Sequence, residues 1–168
     1  DYLNIDPAYL FVGNGATEII QAIMHTFVKG KVLINIPTFS PYYEFAKECD
    51  VIYNTLEEKD GFVLNIDKFC STAINESVDT VVIINPNNPD GSYIKKSDIL
   101  KILNRLKSVN NVILDESFIH FAFENDEYEI MSCAKEVLEY KNLVVLKSMS
   151  KDFGIAGVRS GFAIMNPD

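Results

Sequence analysis

The sequence predicts an α/β fold of three layers, in which a mixed and mostly parallel sheet is covered by helices on both faces. Three observations carry this expectation. Short β-branched runs alternate with amphipathic stretches along the whole chain, the order produced by strand–helix units. Several of these runs are apolar at every position, as strands must be when both faces are covered. Turn residues and polar side chains gather just after the runs, and in open α/β sheets ligands sit there, beyond the carboxyl ends of the strands.

The candidate strands are Tyr9–Val12, Val32–Ile36, Val51–Thr55, Thr80–Ile84, Val112–Leu114, Leu143–Leu146 and Phe162–Met165. Between the first two, Ile20, Ile23, Met24 and Phe27 repeat at helical spacing, and Ile99, Ile102, Leu103 and Leu106 repeat in the same way after the fourth. Ser97 and Asp98 are placed to cap and open that second helix. Shorter helices are expected over Pro41–Cys49, Ile66–Ile74 and Cys133–Tyr140. No repeat, low-complexity tract or linker-like change in composition interrupts the pattern.

The chain has 168 residues, of which 48% are hydrophobic and 23% charged, enough to bury a real core. Its net charge of -9 leaves no basic surface to follow a phosphate backbone, so nucleic acid is not an expected partner. A single small anion remains possible, because a pocket needs only a few aimed donors. Cys49, Cys70 and Cys133 are odd in number, far apart and form no C-x-x-C, which fits neither a disulfide framework nor a zinc site. No apolar run approaches the ~20 residues that span a bilayer, and the start, DYLNIDPAYL, has no signal pattern. The expectation is a cytoplasmic protein without a metal or a membrane partner.

The segments after the strands carry the chemistry. GNGATE, Gly13–Glu18, runs straight into a helix whose first N–H groups form an anion site; Glu18 stands where a dinucleotide fingerprint needs its last glycine. PTFSPYY, Pro37–Tyr43, puts Phe39 where the chain leaves the sheet, a position that also suits core packing. NPNNPDG, Asn85–Gly91, is a turn by its Asn-Pro pairs and glycine, yet its side-chain amides also suit a polar ligand. VILDES, Val112–Ser117, ends a buried strand on Asp115. Such an acid can hold a metal–nucleotide complex or pair with a protonated ring nitrogen; the first needs a G-x-x-x-x-G-K loop, which is absent here. KSMSKDFGIAGVRSG, Lys147–Gly161, joins a lysine, serines, glycines and an arginine. A lysine among apolar residues loses its proton more readily and attacks carbonyls, and Arg159 offers a fork suited to phosphate.

Asn-Pro, then Asp-Glu-x-aromatic, then Ser-x-Ser-Lys, then an arginine eight residues beyond the lysine resembles fold-type I enzymes that use pyridoxal 5'-phosphate (PLP). The chain is most similar to the class I/II aminotransferases, in particular those like histidinol-phosphate aminotransferase and threonine-phosphate decarboxylase. The resemblance implies that Lys151 holds the cofactor covalently and moves the α-proton of the substrate. It implies that Asp115 pairs with the pyridine nitrogen, Asn88 bonds the 3-oxygen and Phe39 stacks on the ring. It gives the cofactor phosphate to the turn at Gly15 with the N–H groups of Ala16 and Thr17, and to Ser148, Ser150 and Arg159. Two departures stand out: Asp90 replaces the usual threonine of Asn-Pro-Thr-Gly, and Phe118 replaces a tyrosine whose phenol also bonds the 3-oxygen.

The resemblance also implies a reaction. It predicts amino-group transfer between an amino acid or phosphorylated amine and a 2-oxo acid, with decarboxylation of a phosphorylated amino acid as the alternative. Residues 1–168 then correspond to most of the PLP-binding large domain, without the N-terminal arm and the C-terminal small domain that supplies the substrate-carboxylate arginine. The full-length protein is expected to be a homodimer. A PLP-binding module without turnover of its own is the competing reading of a different class.

Overall fold

The computed structural model describes residues 4–125 and 130–167. Seven strands form one sheet: β1 (Leu10–Gly13), β2 (Lys31–Ile36), β3 (Asp50–Thr55), β4 (Thr80–Ile84), β5 (Asn111–Asp115), β6 (Leu143–Ser148) and β7 (Gly161–Met165). Their spatial order is β1-β7-β6-β5-β4-β2-β3. Pairings among β2 to β6 are parallel, and β7 runs antiparallel to both neighbours, β1 and β6. The sheet is therefore mixed and mostly parallel. Because β7 is reversed, its first residue, Gly161, lies at the same sheet edge as the last residues of β1 and β6.

Period-two alternation divides the strand residues between two cores. Leu33, Val81, Ile83, Leu114 and Val145 pack on one face with α3 (Ile66–Asn75) and α4 (Lys96–Arg105). Ile34, Val82, Ile113 and Leu146 pack on the other with α1 (Ala16–Thr26) and α2 (Pro41–Glu44). An 11-residue helix such as α1 is marginal alone in water. Burial of Ile19, Ile20, Ile23 and Met24 holds it on the sheet, each fully buried side chain contributing roughly 1.5–3 kcal/mol.

The elements differ from the sequence reading at a few places. Helix α2 ends at Glu44, with the chain turning through residues 45–49; the short crossover to the neighbouring strand β3 leaves space for one helical turn. Residues 134–138 form a 3-10 helix in place of an α-helix over Cys133–Tyr140. Helix α4 starts at Lys96, and Ser97 is not its cap. Its first N–H, that of Lys96, donates 2.6 Å to Glu124 Oε1, a carboxylate far along the chain that also accepts from the Tyr93 phenol. The first strand begins at Leu10 because Pro7–Tyr9 form a 3-10 turn capped by Asp6.

Among the described residues no helix is long and apolar enough to cross a membrane. Nor does any group of His, Cys, Asp and Glu there form a metal site.

Candidate active site

The carboxyl ends of β1, β4, β5 and β6 surround a cavity of about 220 Å³ on the α1 face of the sheet. Its lining brings together Ala16, Thr17, Phe39, Asn88, Asp115, Ser148, Ser150, Lys151 and Arg159, all singled out by sequence. Gly15 completes the set from just behind the wall.

Several of the groups at the cavity are donors. Gly15, the N-cap of α1, has φ +80° and no side chain to cap the helix, so the first turn points its N–H groups outward. A Cβ built on Gly15 would sit 3.0 Å from Arg159 Nη2, so the missing side chain admits the guanidinium. Gly161 is a second necessity, since a Cβ there would lie 2.8 Å from the Ala16 nitrogen and 3.1 Å from the Lys147 carbonyl oxygen. Its absence lets β7 pass directly behind the turn. Ser148 ends β6, and Ser150 and Lys151 sit on α5 (Met149–Asp152), a single turn that continues from that strand.

The lining also holds a buried acid. Asp115 is 3% exposed; its Oδ2 accepts 2.7 Å from the Tyr42 phenol and its Oδ1 accepts 2.8 Å from the Ser117 N–H. Burial pushes its carboxyl above the usual range, and the bonds from Ser117 and Tyr42 pull it back. Burial, then the neighbouring charge of Asp115, holds the Tyr42 phenol well above its ordinary value. Among the described residues no cation pairs with this buried acid, which leaves it prepared for a positive partner.

Aromatic and apolar lining comes from Phe39, Phe118, Ile20 and Ile84. Phe39 also packs against the core beneath, so its packing and its cavity face are one position. Lys151 Nζ stands 5.6 Å from the centroid of the Phe118 ring. Asn88 lines the cavity, whereas its neighbours are structural. Asn85 exchanges two 2.8 Å bonds with the Ile94 backbone, and Asn87 donates to the Pro37 carbonyl and to Asp90. Asp90, the departure from threonine, closes this turn by accepting from Asn87 Nδ2 and the Ser92 N–H.

Sequence reasoning did not find Tyr42, Ser117 or Gly161. A signal existed for Tyr42, which lies three residues after Phe39 in the turn that leaves β2. Gly161 carried none, because its role is a close approach between segments far apart in the chain.

The family model described as aminotransferase class I and II matches residues 1–168. The chain is 53% identical, over all of its length, to an L-serine phosphate decarboxylase of Campylobacter jejuni, of which it covers 43%. It is 33% identical over 98% of its length to a histidinol-phosphate aminotransferase of Thermoanaerobacter pseudethanolicus, covering 45% of that protein. Among solved structures, a decarboxylase from Sulfurospirillum multivorans superposes with a TM-score of 0.94 at 47% identity, over 99% of this chain and 42% of the other. The chain thus spans less than half the length of the relatives it matches. It belongs to the class I and II aminotransferase family, a family of PLP-dependent enzymes.

Proposed function

We propose that the full-length protein is a PLP-dependent decarboxylase of a phosphorylated amino acid, with L-serine O-phosphate the first substrate to test. The observation that carries this is 53% identity to an L-serine phosphate decarboxylase, against 33% to histidinol-phosphate aminotransferases. Transamination, expected from the motifs, becomes the second reading, kept by the aminotransferases among the relatives. Residues 1–168 are, in this proposal, most of the cofactor-binding large domain.

The donor set fits the cofactor chemically. A helix N-terminus, two serine hydroxyls, a guanidinium and a buried acid line one cavity. In this reading the Ala16 and Thr17 N–H groups, Ser148, Ser150 and Arg159 hold the phosphate. Asp115 keeps a proton on the ring nitrogen, Asn88 donates to the 3-oxygen, Phe39 covers a ring face and Lys151 is the covalent anchor. When bound, PLP supplies a sink for the electron pair left on the substrate α-carbon as a bond to it breaks.

The protein's own work is positional and acid–base. The Tyr42 phenol, bonded to Asp115 Oδ2, keeps that carboxylate turned toward the cavity. Lys151 Nζ would deliver a proton to the substrate α-carbon in place of the departing carboxyl group. Phe118, Ile20 and Ile84 keep water from that step.

Incubation of the full-length protein with PLP and L-serine O-phosphate tests the reading. Release of carbon dioxide matched by O-phosphoethanolamine, with no 2-oxo acid added, is expected. Formation of the corresponding oxo acid, only when a 2-oxo acid acceptor is present and without carbon dioxide, would establish transamination instead.

A further inference from the structure

The opposite side of the same strand ends carries charges that the proposed chemistry does not use. Asp115 and Ser148 line the cavity, so by alternation Glu116 and Lys147 turn to the other face. There Glu116 Oε2 stands 2.6 Å from Lys147 Nζ, with the two side chains 1% and 4% exposed. Ser132 Oγ donates to Glu116 Oε2 and the Cys133 N–H to Oε1. This pair balances its own charge.

A second contact lies beside it. His120 Nδ1 is 2.7 Å from Asp152 Oδ2, and the Asp152 side chain is only 3% exposed. Burial raises the Asp152 carboxyl, His120 and Lys147 draw it down, and Glu116 adds to the rise. His120, Lys147 and Glu116 are thus the charged or titratable groups that face it, while the Phe153 ring lies 6.2 Å from that of His120.

The place of this contact gives it a consequence. Asp152 directly follows Lys151, and His120 lies two residues beyond Phe118, whose ring stands near Lys151 Nζ. The contact therefore ties α5 to the 3-10 turn Ile119–Phe121 that follows the Asp115 segment. Helix α5 needs such a tie, because it has four residues, no side-chain cap and no buried apolar residue. We infer that His120 and Asp152 are a positioning pair that fixes α5 and so sets where the Lys151 amine stands in the cavity. The inference rests on Lys151 being the covalent anchor.

The test compares the full-length, PLP-loaded protein with Asp152→Asn, His120→Gln, their double variant, and the exchanged pair His120→Asp with Asp152→His. Borohydride reduction and peptide mapping come first; an addition on a lysine other than Lys151 in the wild type defeats the anchor reading and the inference with it. With Lys151 established, the readouts are the rate of cofactor release to a carbonyl scavenger and the pH midpoint of the cofactor's visible band. Each single variant is expected to release cofactor roughly tenfold faster and to move the midpoint, and the double variant to be no worse than the more severe single, as for two residues acting through one contact. The exchanged pair should recover part of the loss.

A purely stabilising contact would lower the melting temperature and leave both cofactor readouts at wild-type values, and that result overturns the inference. Additive single effects with no recovery on exchange overturn it as well. Where Asp152→Asn does not fold, Asp152→Glu is read by the same criteria.

Discussion

The two faces of the strand ends at β5 and β6 make opposite use of polar side chains. On the cavity face the polar groups line a cavity, and Asp115 accepts hydrogen bonds but, among the described residues, pairs with no cation. On the other face Glu116 and Lys147 close on each other, with Ser132 and the Cys133 N–H taking up the remaining valences. Two adjacent acids, Asp115 and Glu116, thus serve different ends through strand alternation alone. The closed face contributes to the fold, and in the function proposed the cavity face offers its polar groups to a ligand. Substitutions on the two faces should separate stability from cofactor affinity.

The largest effect on stability is expected from Lys147→Met. Removal of one partner leaves Glu116 a buried charge without compensation, at about 3–5 kcal/mol of folding free energy. Urea unfolding should show this loss, and Glu116→Gln added to Lys147→Met should restore much of it. A single variant as stable as wild type would contradict the division of labour.

Arg159→Ala should do the reverse, sparing the fold because the residue is exposed. Loss of a charge-assisted bond to phosphate costs about 1.5–3 kcal/mol, or roughly tenfold to a hundredfold in PLP affinity. Arg159→Lys should fall between wild type and Arg159→Ala in a titration with PLP.

Asp115→Asn sharpens the comparison in a single residue. Its folded carboxyl titrates above the ordinary value of about 3.9, so the folded state binds the extra proton. Its contribution to stability is then greatest at low pH and is lost as pH rises through the raised value. The cofactor-free Asp115→Asn protein should therefore melt higher than wild type at neutral pH, with the gap narrowing toward pH ~4. The same variant should bind PLP less tightly, since the amide cannot pair with a charged ring nitrogen.

Phe118→Tyr should give the smallest change. A phenol added beside Lys151 supplies a second donor to the 3-oxygen of PLP and favours its anionic form, which lowers the pH midpoint of the cofactor band. An unchanged or raised midpoint would mean that residue 118 does not face the ring.

Much of this organisation was legible in the chain. The central strands and the stripe of α4 read correctly because burial on two faces or on one leaves a local pattern, whereas Phe27 of the α1 stripe and the apolar residues Leu10, Phe11 and Val12 of β1 are exposed. The cavity residues read well because topology puts strand ends together and each end carried its own polar signature. What escaped was contact between distant segments: Glu124 at the start of α4, Tyr42 on Asp115, and Gly161 behind Ala16. The Glu116–Lys147 and His120–Asp152 contacts escaped for the same reason. Charged residues in loops look solvated until the fold buries them together.

The central claim is that Lys151 holds the cofactor. Borohydride reduction of the PLP-loaded full-length protein, followed by proteolysis and mass mapping, tests it directly, with Lys151→Ala as the control. The account predicts a cofactor-sized addition on the peptide containing Lys151, absent together with the visible band in the variant. An addition on another lysine, or a band that survives Lys151→Ala, would contradict it.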